Sequence, residues 1–202
     1  MRPTKSSIPI RRTTLAASGA LILCTPLLAG SITGTVKCTG ARDNADAVVY
    51  VDQVPGKTFS PPATHALMDQ KNMVFIPHVL PVLVGTTVDF LNSDPLQHNV
   101  LTPDKCAERF NLGSWAKGQS RSYTFKRPCA ATILCIVHPE MEAFVVAVPT
   151  PYFAVTDKSG TYTITAVPDG QYTLKVWHPK LKATSLQVTV AGETRVDAEL
   201  KK

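Results

Sequence analysis

Residues 134–141 read Leu-Cys-Ile-Val-His-Pro-Glu-Met, which places a thiol, an imidazole and a thioether at three-residue intervals: Cys135, His138 and Met141. Pro139 and the β-branched residues on both sides, at 132–133 and 145–146, argue against a helix here. The stretch therefore predicts a short loop that joins two β-strands and can wrap three side chains around one ion.

Strand patterns extend outward from this loop in both directions. From Ile32 onward, short β-branched and aromatic runs alternate with turns rich in Gly, Pro, Asn and Asp, and no long segment has helical periodicity. Residues 101–118 are less regular and could hold a helical turn. The pattern predicts an all-β fold, with candidate strands at 32–37, 47–51, 73–75, 82–91, 121–125, 132–137, 143–148, 161–165, 172–177 and 186–190.

The N-terminal segment, residues 1–30, has the pattern of a secretory leader. A basic stretch ending at Arg11-Arg12 is followed by an apolar run and by the small residues Ala29-Gly30-Ser31. Both twin-arginine and ordinary secretion are compatible with it, and either route leads to the periplasm. We expect the leader to be removed and the mature chain to hold no integral membrane segment, because the apolar run is short and interrupted.

The overall charge is carried largely by this leader. The chain has 202 residues, 44% hydrophobic and 18% charged, with a formal net charge of +6. Four of its 21 basic residues lie in residues 1–30, which contain no acidic residue, so 17 basic and 15 acidic residues remain. A nearly neutral chain without a basic cluster gives no support to nucleic-acid binding.

The rest of the chain divides into two compositional regions. Residues 53–150 hold most of the His, Cys and Met residues, whereas residues 151–202 hold alternating strands. The latter resemble carboxypeptidase regulatory-like domains through the turns at 156–162 and 167–174. The Gly-x-Val and Ala-x-Val strands that begin such domains occur instead near the N-terminus, in 31–52. We expect residues 31–52 and 151–202 to form one discontinuous β-sandwich around 53–150, with a simple tandem arrangement as the alternative.

The ligand types at the loop favour copper. Thiolate and thioether sulfurs are soft and imidazole is intermediate, and one Cys with two His and a weak Met is typical of electron-transfer copper. The second imidazole must come from elsewhere. His98 is the best candidate because it follows an apolar strand and the turn at 92–95, and His78 is the rival.

At these positions the sequence resembles the cupredoxins, and among them amicyanin and plastocyanin. The matching residues are 84–92, His98-Asn99-Val100, and Cys135-x-x-His138-Pro139-x-Met141. The whole chain also resembles secreted bacterial proteins often labelled methylamine utilization proteins. The resemblance implies a Greek-key β-sandwich and one type 1 (blue) copper per chain. In the family pattern, His98, Cys135 and His138 are equatorial ligands, Met141 is axial, and the exposed His138 passes electrons.

Two functions follow from such a site. The first is a periplasmic electron carrier whose partner is a redox protein such as a cytochrome or a dehydrogenase. The second is a copper-binding or copper-delivery protein for which the metal is cargo. We do not expect this chain to be an enzyme or to contain a catalytic residue. The His-x-His pairs of multicopper oxidases and the second loop Cys of dinuclear copper centres are absent from the sequence.

Three further cysteines follow the leader: Cys38, Cys106 and Cys129. An oxidising compartment makes a disulfide plausible, but three cysteines cannot all pair within one chain. Cys106 with Cys129 is slightly favoured, because both flank the same predicted domain.

Overall fold

The computed structural model describes residues 29–202. The expected leader therefore lies outside the described residues, except for Ala29 and Gly30, which begin the first strand. Nearly all regular structure is β, with one short 3-10 helix at Lys105–Ala107. The strands are β1 (Ala29–Cys38), β2 (Val48–Val51), β3 (Ala66–Lys71), β4 (Val74–Ile76), β5 (Val79–Leu83), β6 (Thr87–Asn92), β7 (His98–Leu101), β8 (Asn111–Trp115), β9 (Ser120–Thr124), β10 (Cys129–Leu134), β11 (Glu142–Val148), β12 (Phe153–Val155), β13 (Thr161–Pro168), β14 (Gly170–His178), β15 (Leu181–Val190), β16 (Glu193–Arg195) and β17 (Ala198–Leu200).

Strands from both ends of the chain form what we call the terminal sandwich. One sheet has the order β13-β1-β16, and β17 also pairs with β1. The other has the order β12-β2-β14-β15. Along β14 every second side chain is buried, including Tyr172, Leu174 and Val176, which is the alternation that a half-buried strand requires. Strands β1 and β2 thus pair with strands that follow them by more than 100 residues.

Strands β3 to β11 form the central sandwich. Its five-stranded sheet has the order β5-β11-β10-β7-β8, and its four-stranded sheet has the order β4-β3-β6-β9. Its core includes the fully buried Met68, Phe90 and Ile133. The disulfide between Cys106 and Cys129, the slightly favoured pairing, is confirmed and ties the 3-10 helix to the start of β10.

A smaller apolar cluster lies between the two sandwiches. Phe144, Val146 and Val148 on β11 pack with Val48 of β2, and Trp177 of β14 contacts Phe144 edge-on at 5.6 Å between ring centroids. Strand β11 therefore belongs to the central sandwich while one of its faces packs against the terminal one.

The prediction of an all-β fold with two sandwiches is confirmed, and several strand bounds are corrected. Residues 82–91, predicted as one strand, are β5 and β6, because Gly85 adopts a left-handed φ of 91° between them. The helical turn expected within 101–118 is the 3-10 helix, but the same segment also contains β8. None of the helices in residues 29–202 has the length and apolar character needed to cross a membrane.

Candidate metal centre

His98 reaches the centre from the first position of β7. The loop before it is shaped by the buried Asn92, whose amide donates to the carbonyl oxygens of Leu96 at 2.8 Å and Trp115 at 2.9 Å. The Asn92 side-chain oxygen also accepts the backbone N–H of Asp94 at 2.9 Å. This local network fixes the path of the chain into β7 and leaves the His98 side chain with no exposed surface.

Cys135, His138 and Met141 lie on the loop between β10 and β11. These strands are antiparallel neighbours whose last pair is Leu134 with Glu142, so the loop closes directly between two paired strands. Within it, the backbone N–H of Met141 donates to the carbonyl oxygen of His138 at 3.0 Å. The predicted arrangement, a short loop joining two strands, is confirmed.

Three of the four predicted ligands converge on one point. Ligand atoms of His98, Cys135 and His138 all lie within 4.8 Å of one another. The two Nδ1 atoms are 3.0 Å apart, and Nδ1 of His138 is 4.0 Å from Sγ of Cys135. His98 is fully buried, Cys135 is 3% exposed and His138 is partly exposed. Two imidazoles and one thiol facing a common centre form a donor set that suits copper.

The Met141 side chain is buried with Cys135 in the core of the central sandwich. Its backbone is held by the loop hydrogen bond to His138, so the thioether belongs to the same compact turn. The carboxylate neighbours Glu140 and Glu142 are exposed instead. The loop thus buries the side chains at its two ends, Cys135 and Met141, and leaves those between them exposed or half-buried.

Asn99 joins β7 to the loop between β10 and β11, which we call the ligand loop, through both its backbone and its side chain. Its N–H donates to Sγ of Cys135 at 3.4 Å. Its side-chain oxygen accepts the N–H of Ile136 at 3.4 Å, and its amide donates to Asn111 at 2.8 Å and to Gly113 at 2.9 Å. The cysteine sulfur is therefore held in place by a neighbouring strand.

Asp94 contacts His98 on the side away from the other ligands, and the sequence did not single it out. Its Oδ2 lies 2.8 Å from Nε2 of His98, and both side chains are buried. Burial acts to raise the pKa of Asp94, but hydrogen bonds from Met73, His98 and Asn72 outweigh it and lower the pKa below its usual range. The only signal in the sequence is an acidic residue four positions before His98, which resembles an ordinary turn residue.

His78, the rival ligand, lies elsewhere. Its Nδ1 is 2.6 Å from Oδ2 of Asp46, and its ring contacts Phe144 edge-on. Of the two candidates, the structure brings His98 and not His78 together with Cys135 and His138. Within residues 29–202 the free cysteines are Cys38 and Cys135, both buried.

Comparison with known proteins finds one matching family model and a set of similar solved structures. Residues 139–201 match the family model of the carboxypeptidase regulatory-like domain. No curated protein sequence matches the chain.

Solved structures with similar regions include an amicyanin, a purple cupredoxin and a copper-containing nitrite reductase. Amicyanin from Paracoccus versutus is 22% identical, with a TM-score of 0.39 over 49% of this chain and 96% of that one. A purple cupredoxin from Nitrosopumilus maritimus is 22% identical, with a TM-score of 0.37 over 41% and 98%. The copper-containing nitrite reductase of Thermus scotoductus is 24% identical, with a TM-score of 0.41 over 50% of this chain but only a quarter of its own length. The chain is thus similar to amicyanin and other cupredoxins over about half of its length, and it carries a carboxypeptidase regulatory-like domain match over residues 139–201.

Proposed function

We propose that this chain binds one type 1 copper ion through His98, Cys135, His138 and Met141 and uses it to carry single electrons in the periplasm. The observation that carries the proposal is the convergence of His98, Cys135 and His138 within 4.8 Å. A copper ion bound there would supply a one-electron Cu(I)/Cu(II) couple. Met141 is proposed as the weak fourth ligand from its place at the end of the same loop.

The way the ligands are held favours a carrier over a delivery protein. His98 is fixed by the start of β7 and by Asp94, while Cys135 is fixed by the N–H of Asn99. Both ligands are almost completely buried, so releasing a metal would require the loop between β10 and β11 to open. An electron carrier needs ligands that stay in place, because fixed ligands minimise rearrangement as an electron enters or leaves.

His138 is the route by which we expect electrons to pass. It is the partly exposed member of the group, and the neighbouring Ile136 and Val137 are 64% and 51% exposed. Leu96, on the loop that precedes His98, is 48% exposed. Exposed apolar side chains around a partly buried site are typical of a docking surface. We propose a redox protein, such as a cytochrome or a dehydrogenase, as the partner.

Two features support export and a discontinuous terminal sandwich. The Cys106–Cys129 disulfide fits an oxidising compartment such as the periplasm, in agreement with the leader pattern of residues 1–30. The pairing of β1 with β13, and of β2 with β12 and β14, supports a sandwich built from residues 31–52 and 151–202 around the copper-binding region 53–150.

Absorption spectroscopy of the copper-loaded protein tests the site. We expect a strong blue Cu(II)-thiolate band that disappears on reduction and is absent from Cys135→Ser. Cys38→Ser is the matched control, because Cys38 is also a buried free cysteine but lies in the terminal sandwich. His98→Ala should lose the band and His78→Ala should keep it. A colourless Cu(II) form of the unaltered protein, or an intact band in Cys135→Ser, contradicts the proposal.

A second measurement separates the carrier from the delivery protein. The loaded protein is cycled repeatedly between its reduced and oxidised forms in the presence of a Cu(I) chelator. A carrier retains its copper and its blue band through the cycles. Transfer of the copper to the chelator at the first reduction identifies the delivery function instead.

A further inference from the structure

A buried carboxylate contacts the outer nitrogen of a proposed ligand, and its effect on the proton position and charge of the site goes beyond the function proposed above. Oδ2 of Asp94 lies 2.8 Å from Nε2 of His98, while Nδ1 of the same ring faces Nδ1 of His138. His98 is fully buried and Asp94 is nearly so. A charged side chain in such surroundings is unfavourable unless each oxygen has a hydrogen-bond partner.

Asp94 has these partners because the turn between β3 and β4 supplies two backbone N–H groups. Asn72 donates to Oδ1 at 2.6 Å and Met73 donates to Oδ2 at 2.8 Å. Both turn residues have left-handed φ values, 56° and 58°, in a two-residue connection that usually needs glycine at its second position. The carboxylate therefore stabilises an unfavourable backbone, and the turn in return holds the carboxylate against His98.

This geometry determines which nitrogen of His98 is available to a metal. A neutral imidazole carries one proton, and a carboxylate beside Nε2 favours the form with the proton on that atom. Nδ1 then keeps its lone pair and points towards His138 and Cys135. A histidine ligand whose other N–H is bound to a carboxylate is also oriented and made more basic.

The negative charge has a second consequence. In a poorly hydrated interior, charges interact more strongly than in water. A carboxylate held behind a ligand stabilises the more positively charged oxidation state at the centre. It therefore weakens the preference for the reduced state and lowers the reduction potential.

We propose that Asp94 is a positioning residue that holds His98 with Nδ1 free for copper, and that its buried charge lowers the reduction potential of the site. The second half of this proposal rests on the copper function proposed above. The first half concerns the metal-free protein and is tested without copper.

Nitrogen NMR of metal-free protein tests the positioning. In its neutral form we expect His98 to carry its proton on Nε2 alone. In Asp94→Leu, which removes the acceptor, both proton positions should be populated. Protonated Nδ1 in the unaltered protein, or an unchanged proton position in Asp94→Leu, would overturn the positioning role. The unaltered protein alone gives a decisive answer if the variant does not fold.

Electrochemistry of the copper-loaded protein tests the charge. Asp94→Asn keeps an acceptor oxygen but removes the charge that favours Cu(II). Loss of a partner of a metal ligand lowers metal affinity by about tenfold or more, so we expect Cu(II) affinity to fall about tenfold relative to Cu(I) affinity. For a one-electron couple this is a rise of about 59 mV. Asp89→Asn is the matched control, because Oδ1 of Asp89 also contacts a histidine, His65, at 2.9 Å, but at a partly exposed position on β6.

Three outcomes distinguish the proposals. A potential that rises in Asp94→Asn and not in Asp89→Asn supports the charge effect. Equal potentials in Asp94→Asn and the unaltered protein overturn it. Failure of the unaltered protein to form a blue Cu(II) site would contradict the copper function and the charge effect that depends on it, while the NMR measurement would still decide the role of Asp94 in orienting His98.

Discussion

The two sandwiches are built from the same kind of strand but differ in what they bury. The terminal sandwich has a core of apolar and aromatic side chains, with a few buried polar groups at its margins. The central sandwich buries a larger polar set, most of it at the end where β6 leads into β7: Gln70, Thr86, Asn92, Asp94, His98, Asn99 and Thr102. Burying such groups is unfavourable unless they are hydrogen-bonded.

This difference coincides with the location of the proposed site. In the central sandwich Asn92 shapes the loop before β7, Asp94 holds His98 and Asn99 holds the ligand loop. In the terminal sandwich the alternating strands need little beyond apolar packing. We therefore expect the terminal sandwich to supply stability and attachment, and the central one to supply chemistry.

Substitutions that create a cavity in either core should have the largest effect on stability, and they test the proposed difference between the two sandwiches. Leu174→Ala in the terminal core and Ile133→Ala in the central core each remove a fully buried side chain, and each should lower the free energy of unfolding by about 2–5 kcal/mol. Urea denaturation of the metal-free protein measures these losses. The blue band should be unchanged in folded Leu174→Ala but altered in Ile133→Ala, which lies two residues before Cys135.

Loss of the blue band in Leu174→Ala would contradict the assignment of stability to the terminal sandwich and of chemistry to the central one. If Leu174→Ala removes the blue band while circular dichroism shows that the protein is still folded, the terminal sandwich takes part in forming the site.

Removing the disulfide should have the next largest effect, confined to the central sandwich. Cys106 and Cys129 close a segment with a sequence separation of 23, and losing this link should cost about 3 kcal/mol of stability. The double variant Cys106→Ser/Cys129→Ser avoids leaving a single thiol that could pair with Cys135. Urea denaturation with and without dithiothreitol measures the effect.

The reductant provides the control for this prediction. Dithiothreitol should lower the midpoint of the unaltered protein and leave that of the double variant unchanged. Equal sensitivity of both proteins would show that the disulfide does not stabilise the central sandwich.

The smallest effect is expected at the ion pair between the sandwiches. The hydrogen bond to Asp46 raises the pKa of His78 despite partial burial, and the same bond lowers the pKa of Asp46. The pair therefore stabilises the fold fully between the ordinary pKa values of the two groups, about 3.9 and 6.5. This contribution is lost as pH rises through the raised pKa of His78 or falls through the lowered pKa of Asp46.

We expect His78→Gln to remove less than about 1 kcal/mol near pH 5 and nothing near pH 9. Solvent screens this pair, since both side chains are more than one-third exposed. Asp46 is the group in direct contact with His78, while Glu142 and Lys180 also act on the pKa of His78. His178 acts on the pKa of Asp46. Burial lowers the pKa of His178, so the contribution of His178 to stability is lost as pH falls. This contribution is present in both the unaltered protein and His78→Gln, so it does not affect the difference between them. Urea denaturation at both pH values tests the difference, and an equal loss at both would contradict it.

The ligand loop was predictable because its residues are local and chemically distinctive. Cys135, His138 and Met141 are close in the sequence, and Pro139 excludes a helix. The strands β16 and β17 were missed because each has only three residues, and they form by pairing with β1 at the other end of the chain. Asp94 was missed because burial and pairing with the β3–β4 turn are tertiary properties, invisible in an Asn-Ser-Asp-Pro sequence that resembles any surface turn.

The junction between the sandwiches consists of two chain crossings held side by side. The N–H of Val51 donates to the carbonyl oxygen of Tyr152 at 3.0 Å, and the hydroxyl of Thr150 donates to the carbonyl oxygen of Val51 at 2.6 Å. A body attached through one linker can swing and twist about it, whereas two crossings hydrogen-bonded to each other resist both movements. The direction in which His138 faces is therefore fixed relative to the terminal sandwich, and a cut in one crossing would leave the other still attached.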